Sequence, residues 1–209
     1  METKNPYNIC TWKAESECAD CPAGESINCR HNWGDLLRFY LYFFPFATLA
    51  IIGVIRVGSG LWLWGWFAYA MVFFFVWESR ILCSHCPYYA EDSLILHCLA
   101  NHGVIKLWKY HPEPMSRSER WQFAIGAGIL VLFPYPLMII GGEWLFTALT
   151  AAAMVIGGAL IYRTICSRCV NFSCPANHVP KEIVDAYLIR NPIMHKAWKK
   201  AGYKSGSDR

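Results

Sequence analysis

Four long apolar runs, separated by polar stretches of very unequal length, set the pattern of the chain. They cover Leu36 to Val57, Leu61 to Trp77, Trp121 to Ile140 and Trp144 to Tyr162. A helix needs about 20 apolar residues to cross the hydrocarbon core of a bilayer. The pattern therefore predicts an all-α integral membrane protein with four transmembrane helices. Gly58-Ser59-Gly60 and Gly141-Gly142-Glu143 are short turns, so the spans form two hairpins. Asp35 is the expected N-cap of the first span, and Ser116-Arg-Ser-Glu119 reads as a capping box before the third. Pro45 is expected to kink the first span, and Pro134 and Pro136 lie inside the third. Trp62, Trp64 and Trp66 suit an aromatic belt at one end of span two and Trp77 the other. Small residues of span four (Ala151, Ala152, Ala153, Gly157, Gly158, Ala159) permit close helix contact.

The polar stretches carry a phrase that occurs twice. Cys83-Ser-His-Cys86 is followed by Cys98-Leu-Ala-Asn-His102, and Cys166-Ser-Arg-Cys169 by Cys174-Pro-Ala-Asn-His178. Each copy is CxxC and then C-x-A-N-H, directly after an apolar run. Phe44-Pro45-Phe46 matches Phe133-Pro134-Tyr135, and Arg80 matches Arg163, each three residues before its CxxC. The repeat predicts a duplicated unit: a transmembrane hairpin plus an arm with three Cys and one His, related by a pseudo-two-fold along the membrane normal. The chain then divides into a four-cysteine knuckle over 1–35, a first repeat over 36–120 and a second over 121–209 with a basic tail. Gly103 to Tyr110 mixes Leu107, Trp108 and Tyr110 with Lys106 and Lys109, as expected of a segment at the membrane surface. A short helix is predicted from Pro180 to Arg190, with a frayed end after it.

Composition agrees with the membrane reading. The chain is 55% hydrophobic and only 16% charged, against about 25% charged in soluble proteins. No apolar segment precedes Asp35, so the first span is expected to stay as an anchor rather than be cleaved. Of 19 Lys and Arg, only Arg56 falls near the short-turn face. The positive-inside rule then places the cysteine-rich face, with both termini, on the cytoplasmic side of a cell inner membrane. Thiols there stay reduced, which favours metal ligation over disulfides. The net charge of +4 is modest and gathers in the tail, where anionic lipid is the expected neighbour and nucleic acid is not.

Thiolates with one imidazole suit zinc or an iron–sulfur cluster. The candidate metal ligands are Cys83, Cys86, Cys98 and His102 in one arm and Cys166, Cys169, Cys174 and His178 in the other. A second arrangement brings Cys83, Cys86, Cys166 and Cys169 together as one shared site. The knuckle adds Cys10, Cys18, Cys21 and Cys29, with His31 as a substitute ligand. The C-x3-H ends, Cys98 with His102 and Cys174 with His178, resemble the ligand end of CDGSH-type 2Fe–2S proteins, which implies three Cys and one His per cluster. Upstream the chain departs from that family, having CxxC in place of C-x-C. Four spans with cysteine arms also resemble the membrane ferredoxin-type quinol dehydrogenases of anaerobic respiration, although their cluster motifs are not reproduced. No span contains a histidine, so no haem is expected within the bilayer.

These features predict a metal-binding membrane subunit of a redox or electron-transfer complex, its cofactor an iron–sulfur cluster or zinc. The expected partners are the lipid bilayer, a membrane or cytoplasmic protein and, as a candidate, a quinone. Two other readings fit the same residues. One is a zinc-stiffened scaffold or assembly subunit without catalysis. The other is a CxxC thiol–disulfide oxidoreductase coupled to quinone, similar in outline to four-helix quinone-coupled thiol oxidases. No residue pattern assigns a catalytic group.

Overall fold

The computed structural model describes residues 5–13, 18, 21, 23–24 and 26–206. Among them there are helices and turns but no strands. Helix α1 is Trp33–Arg56. Helix α2, Gly60–Val72, runs on through a π-helical stretch, Phe73–Glu78, and a last α turn, Ser79–Ile81. Then come α3 (Arg117–Leu132), α4 (Pro134–Ile140) and α5 (Trp144–Thr164). Two short helices close the chain, α6 (Lys181–Ile189) and α7 (Pro192–Lys200).

Four helical segments are long and apolar enough to cross a membrane: Trp33–Arg56, Gly60–His85, Arg117–Ile140 and Trp144–Arg168. The shortest has 24 residues, which gives about 36 Å of rise against a hydrocarbon core of about 30 Å. Their apolar surface points mostly outward. Leu61 is 84% exposed, Ile140 86% and Val155 71%. A bilayer makes that arrangement favourable, because in water each exposed side chain would forgo its burial energy. The chain is thus a multi-pass membrane protein.

Inside the bundle, contact depends on missing side chains. The main helix pair is α1 with α5, and Gly157 of α5 lies directly under the Tyr42 carbonyl of α1. Gly53 is covered by Met138 and Phe146, and Gly126 by Phe73. Polar rings tie α2 to α3: Trp66 Nε1 donates to the Leu130 carbonyl at 2.9 Å and the Tyr69 hydroxyl to Gly126 at 2.9 Å. Trp66 is therefore a buried cross-link, not part of an interfacial belt, whereas Trp62 and Trp64 do face outward. The two hairpin turns are joined by Arg56 Nε and Glu143 Oε1, 3.0 Å apart.

Several local expectations shift. The cap of α1 is Asn32, whose side chain accepts from Gly34 N, while Asp35 pairs with Arg38 instead. Pro45 sits within a continuous α1, but Pro134 starts a new helix after Phe133, because its ring excludes a normal hydrogen bond to the preceding turn. The Ser116–Glu119 capping box is complete. The tail is longer and better held than expected: α7 comes after α6, and residues 201–206 fold back so that Gly206 N donates to Asp185 Oδ2 at 2.9 Å.

An alanine Cβ at Gly157 would strike backbone, which cannot move aside. Gly157→Ala should cost about 1–3 kcal/mol, read as a lowered unfolding midpoint in detergent. Gly158→Ala, with only a Met154 methyl at 3.9 Å, should instead be neutral or gain about 0.5–1 kcal/mol. Equal effects at both positions would contradict this packing.

Candidate metal centre

Both CxxC pairs are built in the same way from the ends of membrane helices. The span ends on Leu82 (φ −116°, ψ −56°) in one case and Ile165 (φ −107°, ψ −51°) in the other. A single 3-10 turn comes next, Cys83–His85 or Cys166–Arg168. The chain then leaves in extended form at Cys86 (φ −83°, ψ 136°) or Cys169 (φ −80°, ψ 134°). The intervening serine explains the local choice. Ser84 Oγ donates to the Arg80 carbonyl at 2.6 Å and Ser167 Oγ to Arg163 at 2.7 Å. Each thus satisfies a carbonyl that the ending helix leaves open.

The two arms meet. Asn171 of the second reaches across to the Leu82 carbonyl that ends span two, at 3.2 Å, and its backbone N–H faces Cys169 Sγ at 3.5 Å. In the first arm Asn101 touches two sulfurs. Its backbone N–H donates to Cys98 Sγ at 3.0 Å and its Nδ2 to Cys83 Sγ at 3.6 Å. Asn101 Nδ2 also meets Glu78 Oε2 at 3.3 Å, and Glu78 is buried at the end of the π-helical stretch. A π turn holds one residue more than an α turn and so rotates the residues after it, which here brings a carboxylate in among thiols.

Burial sets the chemistry of these sulfurs. It pushes the Cys86 thiol well up, with Cys169, Cys98 and Cys174 near enough for their charges to add. Cys169 is pushed up to about 12 by burial, reinforced by Cys174, Cys166 and Cys98. Cys98 and Cys174 rise to about 11 for the same first reason, and Glu78 adds to both. The six arm thiols thus form one neighbourhood in which Cys86 and Cys169 connect the halves.

The knuckle forms a second neighbourhood. Cys10, Cys18, Cys21 and Cys29 line a cavity of about 650 Å³ together with Lys13, Arg30 and His31. Asn191, between α6 and α7, holds Cys10 twice: its Oδ1 accepts from the backbone N–H at 2.7 Å and its Nδ2 donates to Sγ at 3.2 Å. An Arg30 guanidinium N–H lies 3.6 Å from Cys18 Sγ. Burial, then the neighbouring cysteines, pushes Cys29 up to about 12, and burial raises Cys10 against the opposing hydrogen bonds of Asn191 and Tyr187. Pro22 and the pair between Cys18 and Cys21 lie outside the described residues.

The knuckle is docked on the arms. Asn28 N donates to the Arg168 carbonyl at 2.7 Å and bridges to Cys169. The buried Tyr88 hydroxyl donates to the Asn28 carbonyl at 2.6 Å, and Trp12 Nε1 donates to Pro87 at 3.0 Å. Ile9, Ala23 and Ile27 share one apolar core with Tyr88, Leu96, Val170, Leu188 and Trp198.

His31, on the wall of the knuckle cavity, has its Nδ1 3.1 Å from the Cys98 carbonyl oxygen. His102 stacks on His31 at 4.3 Å, with Trp33 and His97 alongside. Burial and the two neighbouring imidazoles lower its proton affinity. His178 stacks on Tyr162 at 4.0 Å. Among the described residues all ten cysteines are free, and no three of the His, Cys, Asp and Glu side chains are arranged to hold a metal ion. No protein family, curated protein or solved structure matches the chain.

Sequence reasoning found the cysteines but missed what surrounds them: Asn171, Asn191, Arg30, Tyr88 and Glu78. Only Asn101 lay within a repeated motif. Tyr88→Phe would strip the Asn28 carbonyl of its donor and should weaken knuckle docking by about 1–2 kcal/mol. The expected readout is faster protease cleavage before Trp33, with the thermal midpoint of the spans unchanged. Unaltered cleavage would show that this bond does not hold the knuckle.

Proposed function

We propose that the chain is a membrane-anchored subunit of a redox complex whose cysteine groups hold iron–sulfur clusters. The observation that carries this reading is the knuckle cavity lined by four thiols. A zinc ion with Zn–S bonds of about 2.3 Å draws tetrahedral sulfurs to about 3.8 Å from one another. Among the described residues the four thiols share one cavity wall with Arg30 and His31, yet no three of them are drawn together as a single ion requires, so a polynuclear group with cysteines at its corners is the cofactor we propose. Sulfur is also met by N–H donors, from Asn101, Asn171, Asn191 and Arg30. Such donors stabilise anionic sulfur and tune cluster potentials.

Bound clusters would supply one-electron redox capacity beside the membrane. The residues of the chain hold and surround them. Cys10, Cys18, Cys21 and Cys29 form one ligand group. Cys83, Cys86 and Cys98 with Cys166, Cys169 and Cys174 form the other, with His102 and His178 as further ligands if their rings turn from their present stacks. Tyr88, buried, ties the turn after Cys86 to the knuckle through the Asn28 carbonyl. The matching turn geometry at Leu82 and Ile165 supports a duplicated hairpin-plus-arm unit, and the distribution of Lys and Arg supports a cytoplasmic arm face in a cell inner membrane. A quinone or a membrane or cytoplasmic protein would exchange electrons there.

Anaerobically purified protein should be brown, carry iron and acid-labile sulfide, and lose visible absorption on reduction. Cys29→Ser should remove the knuckle's share of iron while leaving the arm share in place, and Cys98→Ser the reverse. Colourless protein with stoichiometric zinc would replace this reading by the zinc-stiffened scaffold. Rapid labelling of the cysteines in intact cells by an impermeant maleimide would replace it by a thiol–disulfide enzyme on the outer face.

A further inference from the structure

Between the first CxxC pair and span three, the chain makes a small hairpin that leaves apolar side chains uncovered. Leu96 N donates to the Val104 carbonyl at 2.8 Å, Gly103 N to Leu96 at 2.9 Å and Lys106 N to Leu94 at 2.8 Å, and Ile95 pairs antiparallel with Ile105. Gly103 closes the turn at φ +86°, a conformation that favours glycine. The inner residues, Leu96 and Val104, enter the core shared by the arms and the knuckle. The outer residues do not. Ile95, which faces Ile105 across the hairpin, is 44% exposed, Ile105 59% and Leu107 56%. A contiguous apolar patch of this kind marks an interaction surface.

Its position beside span two says what covers it. Trp108 Nε1 donates to the Val76 carbonyl at 3.2 Å, and the Arg80 guanidinium lies over the same indole at 5.7 Å. Val76 belongs to the membrane-crossing segment Gly60–His85. Measured from Gly60 at the opposite end, Val76 is 16 residues along, about 24 Å of helix. That is short of the hydrocarbon thickness of about 30 Å. The Trp108 ring therefore lies at the depth of the bilayer rather than beyond it. An indole with an apolar body and one N–H, next to an arginine, is the composition of a membrane interface. Lys109, the next residue and exposed, can reach anionic headgroups.

We infer that the hairpin over 94–108 is a second membrane-contact surface, seating Ile95, Ile105, Leu107 and Trp108 in the boundary between lipid headgroups and acyl chains beside span two. It holds the first cysteine arm against the bilayer independently of any metal. The occupant is lipid because the patch continues the exposed surface of span two, where Val72 and Val76 also face outward.

The test places a photo-activated benzophenone side chain at position 107 of the full chain. The protein is reconstituted in vesicles of phosphatidylethanolamine and phosphatidylglycerol that carry a trace of radiolabelled lipid. Position 155, exposed in span four, serves as the lipid-facing control, and position 113, on an exposed loop, as the aqueous one. The labelled-lipid adduct at 107 should approach that at 155 and exceed that at 113 several-fold. An adduct no greater than at 113 would overturn the inference, as would cross-linking of 107 to a second copy of the chain in place of lipid. If the substituted protein fails to fold, position 95 or 105 gives the same comparison. Zinc or iron content does not enter this readout, so failure of the redox reading leaves it intact.

Discussion

The ending of a membrane helix is the constraint on which the rest of this structure turns. Where spans two and four stop, the carbonyls of the last turn lose their helical partners and need others. Ser84 and Ser167 each take the carbonyl of an arginine four residues back, and Asn171 takes that of Leu82 from the other arm. The same short turns place Cys83 with Cys86 and Cys166 with Cys169. Helix termination and thiol placement are therefore one event. Thiolates are the form that binds a metal, so any cation taken up there must displace protons.

The arms and the knuckle stabilise one another rather than standing as separate modules. Three segments contribute to a single apolar core, and polar cross-links run between all of them. Asn191, far along the chain, fixes Cys10, and Asn28 bridges to Cys169. Losing the knuckle would therefore expose Tyr88 and Leu188, both nearly inaccessible in the intact chain. This interdependence is why a change in one thiol group is expected to loosen packing at its neighbour even where the neighbour keeps its ligands.

The spans were legible because unbroken apolar length is itself the physical requirement for crossing a bilayer. The capping box at Ser116 was legible for a similar reason: its partners are three residues apart. Side-chain orientation was not. Trp66 has the composition of a belt residue but turns inward to the Leu130 carbonyl, a contact that depends on helix rotation rather than on local sequence. At the start of α1 both Asn32 and Asp35 can cap, and the choice rests on an Arg38 that engages the aspartate. The π-helical stretch within Phe73–Glu78 has no periodic mark in an almost wholly apolar run. The donors to sulfur were hidden by distance along the chain, and the stacking of His102 on His31 depends on how the knuckle docks, which C-x3-H spacing does not encode.

The central claim is that the thiols of this chain enclose polynuclear iron–sulfur groups. Native mass spectrometry of the anaerobically prepared protein tests it most directly, because it weighs what is bound without assuming a spectrum. The account predicts a mass above that of the polypeptide by whole iron–sulfur units, lost together as iron and sulfide on acidification. A mass equal to the bare chain, or raised only by zinc ions, would contradict it.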